Sequence, residues 1–166
     1  MTGRMLVAGI GNIFLGDDGF GVEVVRRLAG TPRPPGVEVV DVGIRGVHLA
    51  YQLLDGYDVL VLVDAAPRGH APGTVTLVEV DEAALGDPAS PVVDAHGLDP
   101  GAVLRMLGSL GGCVGTVYLV ACEPESLAEG IGLSAAVEAG VGPAAGLVEE
   151  LMTRDPLTRR GEEVSP

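Results

Sequence analysis

Short apolar runs alternate along the chain with segments whose apolar residues recur at helical spacing. The first run, Met5 to Ala8, predicts a buried strand, and Gly19 to Ala29 predicts a helix with Val22, Val25 and Leu28 on one face. Further strands are predicted at residues 37–42, 59–63, 74–80 and 116–121, and further helices at residues 47–54, 99–107 and 134–152.

The order of these elements predicts the fold class. Val59 to Val63 contains only Val and Leu, which is typical of a strand buried on both faces of a parallel sheet. Thr74 to Val80 follows after a connection too short for a helix, so this strand is predicted to be antiparallel or to lie at an edge. The pattern predicts an α/β three-layer sandwich, with a twisted, mostly parallel sheet of about five strands and helices on both faces. We expect one domain over residues 1–153 and a flexible C-terminal tail over residues 154–166.

Composition excludes several classes of partner. Ten basic residues, all arginine, against 23 acidic residues give a net charge of −13, and such a chain would repel nucleic acid. Aromatic residues make up only 3%, so base-stacking surfaces are not expected. There is no signal-peptide pattern and no apolar segment long enough to span a membrane. We therefore expect a cytoplasmic protein with no nucleic-acid or membrane partner. A monomer is expected, although no sequence feature bears on the oligomeric state. Cys113 and Cys122 lack CxxC spacing and are interpreted as buried thiols in a reducing compartment.

Residues 9–21, GIGNIFLGDDGFG, form a glycine-rich loop after the first strand. Such loops commonly hold phosphate, but this one carries Asp17 and Asp18. A dinucleotide-binding fingerprint would need glycine in place of Phe14, and the two carboxylates would face the pyrophosphate. Asp41, near the end of the second strand, could mimic the ribose-binding acid of such a fold. Nucleotide binding is therefore kept as one alternative.

Acidic and imidazole side chains also follow predicted strands, at the edge where α/β sheets bind ligands. Asp18 lies in the loop after the first strand, Asp64 ends the third strand, and His96 lies in a loop just before a predicted helix. Taken singly, Asp64 could accept backbone N–H groups, Asp17 could cap the following helix, and His96 could be a structural histidine. Together, two carboxylates and an imidazole form a ligand set for a divalent metal with open positions, or a group for acid–base chemistry.

Three other polar residues have simpler explanations. The sequence GLSAA at residues 132–136 resembles a nucleophile elbow, but no strand precedes it. Ser134 is therefore predicted to be a helix N-cap. His48, on a short helix, and His70, in a Pro/Gly loop, are predicted to be surface residues.

The run GIGNIFLGDDGFGV resembles the N-terminal signature of the hydrogenase maturation endopeptidases, which process the large subunit of nickel–iron hydrogenases. Similar segments follow in the same order at DVGIRG, at Asp64 followed by two alanines, at His96-Gly97-Leu98 and at EPESLAEGIGLS. The resemblance extends from Met5 to about Leu151.

This resemblance implies a twisted sheet between helices and removal of a short C-terminal extension from the large-subunit precursor after nickel insertion. It implies that Asp18, Asp64 and His96 are the metal-contacting and catalytic residues. Asp18 stands where the family often has Glu, which has the same ligand chemistry. Asp41 and Gly43 match the family's D-x-G-T-x-G segment and are expected to bind substrate, whereas Ile44 replaces its Thr.

The metal is expected to be nickel carried by the substrate, with no tightly bound cofactor of the protein's own. The water could be activated by a carboxylate acting as general base, or the metal could polarise the scissile carbonyl; both stay open. The alternative function is a non-catalytic, nickel-dependent chaperone or binding module for the hydrogenase large subunit.

Overall fold

The computed structural model describes residues 3–80 and 100–154. Within these ranges no helix has the length and apolar composition needed to cross a bilayer. Every strand and helix expected from the sequence is present there, with ends shifted by a few residues. Most of the proposed tail lies outside the described residues. The elements are β1 (Met5–Ile10), a 3₁₀ turn (Gly16–Gly19), α1 (Phe20–Ala29), β2 (Val37–Gly43), α2 (Gly46–Leu53), β3 (Tyr57–Ala65), β4 (Val75–Val80), α3 (Pro100–Ser109), β5 (Val114–Cys122) and α4 (Ala135–Thr153).

The strands form one sheet in the order β2-β1-β3-β5-β4. β1 is parallel to β2 and β3, and β3 is parallel to β5. β4 pairs antiparallel with β5 and lies at the edge of the sheet. The prediction of an antiparallel or edge strand is therefore confirmed. The physical reason is the short connection over residues 66–74, which cannot hold the crossover helix that a parallel strand needs.

Two apolar cores lie on opposite faces of this sheet. Successive side chains of β3 point to opposite faces. Val59, Val61 and Val63 therefore pack in the core that includes α1 and α4, and Leu60 and Leu62 pack in the core that includes α2 and α3. The three-layer sandwich is confirmed.

Two glycines allow α1 and the loop before it to lie directly against the strand ends. Gly11 has φ +135°, and a Cβ there would overlap the carbonyl oxygen of Asp18. A Cβ on Gly21, near the start of α1, would overlap the carbonyl oxygens of Ile10 and Val63. This close approach positions the 3₁₀ turn at the carboxyl ends of β1 and β3.

Candidate active site

Two buried carboxylates lie at the carboxyl edge of the sheet. Asp18 belongs to the 3₁₀ turn and is 1% exposed, and Asp64 lies at the end of β3 and is 5% exposed. The 3₁₀ turn contacts β3, so the elements that carry these two side chains adjoin. The structure therefore brings Asp18 and Asp64 to the same edge, at the ends of neighbouring parallel strands.

Asp18 is fixed by its own loop. The backbone N–H of Asn12 donates to Asp18 Oδ2 at 2.8 Å. The backbone N–H of Asp18 donates to the Leu15 carbonyl at 3.2 Å, and the Phe14 N–H donates to Asn12 Oδ1 at 2.9 Å. The glycine loop thus folds around this carboxylate and restricts its orientation before any ligand arrives.

Asp64 lies in β3 directly after the apolar residues Val59 to Val63. Its backbone is in register with Ala121 of β5, and the strand alternation places it on the same face as Leu60 and Leu62. Burial of a carboxylate costs free energy that donors or a cation must offset. Aspartate is rarely buried to this degree outside paired or ligand-binding positions.

Asp17 does not cap α1, so the capping prediction is wrong. The N-cap of α1 is Gly19, without a side-chain hydrogen bond. Asp17 Oδ1 instead accepts the backbone N–H of Ser134 at 2.7 Å. Asp17 Oδ2 accepts the N–H groups of Glu125 and Ser126 at 2.8 and 3.0 Å, and the Ser134 hydroxyl at 3.0 Å. Asp17 therefore ties the 3₁₀ turn to the loop before α4.

These hydrogen bonds also set the charge state of Asp17. Burial by itself would raise the pKa of this carboxyl, but the hydrogen bonds, led by that from the Ser134 backbone, outweigh burial and lower the pKa below its usual value. This role could not be predicted from the sequence, because the donors lie 108 to 117 residues away along the chain. No local sequence pattern indicates such a contact.

Ser134 is the N-cap of α4, as predicted. Its hydroxyl accepts the backbone N–H of Val137 at 3.4 Å while donating to Asp17. Both hydrogen bonds are structural, which agrees with the interpretation that Ser134 is not a nucleophile.

The end of β2 lies beside the glycine loop. The backbone N–H of Gly11 donates to the Gly43 carbonyl at 3.0 Å. Asp41 is exposed, its Oδ2 lies 3.9 Å from Arg26 Nε, and its carbonyl accepts Arg45 Nη2 at 2.7 Å. Sequence analysis did not single out Arg45. A pocket of about 340 Å³ opens here, and its lining residues are Val40, Asp41, Val42, Arg45, His48, Leu49 and Gln52.

The three histidines differ in what the structure shows. His48 and His70 are exposed, as predicted. His96 lies outside the described residues. In residues 3–80 and 100–154, no group of three or more His, Cys, Asp or Glu side chains is arranged to hold a metal ion.

The two thiols lie in different environments. Cys122 is buried, but Cys113 is exposed, so the prediction of two buried thiols is wrong for Cys113. Cys113 directly precedes β5, outside the strand whose residues enter the core. Burial, reinforced by the charges of Asp17 and Glu123, raises the pKa of Cys122 to about 11. A thiol that is protonated at neutral pH is a poor nucleophile.

Comparison with known proteins identifies the family. A family model described as HycI, hydrogenase maturation protease, matches residues 22–151. The chain belongs to the hydrogenase maturation protease family. It is similar to the hydrogenase 2 maturation protease of Escherichia coli, with 36% identity over 145 residues that cover 85% of each chain. Some other curated relatives are longer, and the matched segment spans from 36% to 59% of the length of four of them.

Solved structures of hydrogenase maturation proteases share this fold. The chain is similar to the hydrogenase maturating endopeptidase HybD from E. coli, with a TM-score of 0.75 and 34% identity over 87% of this chain and 89% of that one. It is also similar to a NiFe hydrogenase maturation protease, HycI, from Thermococcus kodakarensis, with a TM-score of 0.70 and 25% identity over 92% and 94% of the two chains. The family and the enzyme class expected from the glycine-loop signature are confirmed.

Proposed function

We propose that this protein removes the C-terminal extension from the large-subunit precursor of a nickel–iron hydrogenase after nickel has been inserted. The observation that carries this proposal is the placement of two buried carboxylates, Asp18 and Asp64, on adjoining elements at the carboxyl edge of the sheet. The chain's family supplies the hydrogenase precursor as the class of substrate. The name of the Thermococcus relative specifies a NiFe hydrogenase, which supports nickel as the metal.

In this proposal the carboxylates recognise nickel that arrives with the precursor. Carboxylate oxygen and imidazole nitrogen both bind first-row divalent ions, and three protein ligands leave positions for ligands from the substrate. Asp18, held by Asn12, offers a preformed ligand. His96 is the proposed third ligand; it shortly precedes α3, which packs on the face of the sheet to which Asp64 belongs.

Hydrolysis then requires an activated water at the scissile bond. The water oxygen bonds to the carbonyl carbon, the C–N bond breaks, and the departing amine takes up a proton. A carboxylate at this edge can accept the proton of the water. Alternatively, the substrate's nickel polarises the carbonyl while the carboxylates hold the ion. Asp41 and Gly43, beside the glycine loop, are proposed to bind the peptide that leads to the cleavage position.

The decisive experiment compares nickel-loaded and nickel-free precursor. We expect intact-protein mass spectrometry to show a shortened C-terminus only with the nickel-loaded form. Binding without shortening would instead indicate a chaperone. Equal shortening of the nickel-free precursor would show that the protein does not recognise nickel.

Asp64→Asn tests the site. We expect this variant to keep the wild-type circular dichroism spectrum but to lose at least about 100-fold in kcat/KM, because the amide can neither serve as a base nor offer a charged ligand. Glu79→Gln is the matched control, since it removes the same charge from an exposed position on β4. Full processing by Asp64→Asn would count against the site.

His96→Ala tests the third ligand. Titration with Ni²⁺ should show weaker binding by this variant than by the wild type. Unchanged nickel affinity would exclude His96 as a ligand, whatever its effect on processing.

A further inference from the structure

Several large apolar side chains of the described residues are exposed to solvent. In the part of the chain that the structure describes, the exposed large apolar residues other than Leu77 form two groups. Two lie in the loops beside the 3₁₀ turn: Phe14, 60% exposed, and Ile131, 80% exposed. The others lie on α2, on α3 or directly beside these helices: Ile44, Val47, Tyr51, Leu54, Met106 and Leu110.

Four exposed apolar residues lie on α2 or beside its ends. Val47 and Tyr51 are on the helix, Ile44 lies two residues before it, and Leu54 is its C-cap. They are between 40% and 64% exposed, and we call these four residues the α2 strip. The inner side of α2 is also apolar and packs on the sheet. His48 and Gln52 lie on its remaining side, where they line the pocket beside Asp41. An exposed apolar patch commonly marks an interaction surface.

The lack of charge distinguishes α2 from the other helices that the structure describes. The sequence of α2, GVHLAYQL, contains no Asp, Glu, Lys or Arg, although the chain carries a net charge of −13. Charged residues are depleted at the centre of protein interfaces. The outer side of α2 therefore has the composition of an interface centre on a molecule that is otherwise strongly acidic.

The α2 strip begins beside the proposed site. Its first residue, Ile44, follows Gly43, whose carbonyl accepts the Gly11 N–H of the glycine loop at 3.0 Å. On the other side of the loop, the Gly130 N–H donates to the Phe14 carbonyl at 2.8 Å, which holds Phe14 and the loop of Ile131 together. Apolar residues thus lie on two sides of the edge that carries Asp18.

We propose that the hydrogenase precursor docks on the α2 strip, so that its C-terminal segment lies across the carboxyl edge toward Asp18 and Asp64. This inference rests on the proposed function and names the surface that recognises the folded part of the substrate. The complementary face of the precursor is apolar at its centre, with basic residues around it that match the net negative charge of the chain.

The geometry favours the precursor over a second copy of the chain. A standard interface uses roughly 20–30 residues on each side, and the α2 strip supplies only a few of them. A precursor whose C-terminal segment occupies the carboxyl edge would cover the strip, the edge and the loops of Phe14 and Ile131 in one contact. A second copy seated on α2 alone would leave the loop residues exposed.

The test places a charge in the strip and compares it with the same change elsewhere. Val47→Glu and Tyr51→Glu alter the strip. Leu77→Glu is the matched control, because Leu77 is 39% exposed and lies on β4, the edge strand at the other end of the strand order from β2. Tyr51→Phe is the conservative variant. Affinity for nickel-loaded precursor is measured by surface plasmon resonance, and kcat and KM are measured separately by processing.

We expect each strip variant to raise both Kd and KM by about tenfold or more, because a charge would be buried without a partner, and to leave kcat unchanged. Leu77→Glu and Tyr51→Phe should bind as the wild type does. If a Glu variant fails to fold, Val47→Thr and Tyr51→Ser should weaken binding in the same direction.

Two results would overturn the docking surface. One is wild-type affinity for the precursor in the folded strip variants. The other is a wild-type dimer that the strip variants convert to monomer without loss of precursor affinity, which would assign the strip to a second copy. If the strip variants weaken binding but the wild type binds precursor without cleaving it, the docking surface stands and the proposed hydrolysis fails.

Discussion

Asp17 and Asp18 are neighbours in sequence and equally buried, yet their carboxylates contact different parts of the molecule. Asp17 accepts donors from the loop before α4, whereas Asp18 accepts a donor from the glycine loop. In a 3₁₀ turn successive residues point about 120° apart, so two adjacent acids face different neighbours. One Asp of the pair therefore holds the turn and leaves the other for the proposed ligand position.

Removing the Asp17 carboxylate should destabilise the fold. Asp17→Ala leaves the backbone N–H groups of Glu125, Ser126 and Ser134 without their acceptor, and we expect a loss of about 3 kcal/mol in the free energy of unfolding, measured by urea denaturation. Asp55→Ala, at an exposed position, is the control and should change stability by less than about 0.5 kcal/mol. A wild-type midpoint for Asp17→Ala would contradict the structural role.

The lowered pKa of Asp17 adds a pH dependence to this stabilisation. Because the carboxyl has a lower pKa in the folded state than its ordinary value of 3.8, its contribution is complete above about pH 5 and is lost as the pH falls through the folded-state value. The stability difference between wild type and Asp17→Asn should be constant from pH 8 to pH 5 and shrink below pH 4. A difference that grows on acidification would reverse the sign and contradict the assignment.

The two cysteines should react differently with alkylating reagents. Iodoacetamide should label the exposed Cys113 in the native protein and leave Cys122 unlabelled, because Cys122 is buried and its pKa is raised to about 11. Peptide mass spectrometry identifies the labelled position, and the unfolded protein, labelled at both, is the control. Cys122→Ala should retain processing activity. An inactive but folded variant would indicate that the thiol takes part in the reaction.

At the scale of elements, the contact of α1 with the strand ends depends on Gly21. A Cβ at this position would overlap the carbonyl oxygens of Ile10 and Val63, so Gly21→Ala should lower the free energy of unfolding by about 3 kcal/mol. Gly146→Ala is the matched control within α4, where an added Cβ meets nothing within 4 Å, and it should raise stability by about 0.5–1 kcal/mol. Thermal unfolding of both variants measures the contrast, and equal effects would contradict the close approach.

The elements could be predicted because their signals are local. The apolar run of β3 and the helical spacing of α1 each lie within about ten residues, and the short connection after β3 decided the direction of β4. The placement of Asp18 and Asp64 at one edge was predictable for a related reason, because the carboxyl ends of neighbouring parallel strands meet there.

Long-range contacts limited the rest of the prediction. The donors to Asp17 come from a distant loop, and the exposure of Cys113 depends on where β5 begins. α2 carries apolar residues on an exposed side as well as on its buried side, so the sequence pattern could not show which of the two the sheet would cover. His96 and the proposed roles of Asp18 and Asp64 stay predictions.

At the scale of the whole molecule, the excess of acid should make stability sensitive to salt. The chain has 23 acidic and 10 basic residues, and the mutual repulsion of the uncompensated charges opposes the compact state. Raising NaCl from about 10 mM to about 300 mM shortens the screening length and should increase the free energy of unfolding by about 1 kcal/mol. KCl should act equally at equal ionic strength; an effect of one salt alone would indicate specific ion binding instead.

The hydrogen bonds that Asp17 accepts have a consequence for the synthesis of the chain. A nascent polypeptide that has emerged only as far as β3 already contains Asp18 and Asp64, but the donors that fix the 3₁₀ turn are encoded 108 to 117 residues after Asp17. The beginning of α4 must therefore be synthesised before the 3₁₀ turn can be fixed by these hydrogen bonds. A shorter chain lacks these donors, so the Asp17 carboxylate reaches its final hydrogen-bonded state only after residues 125–134 have been made.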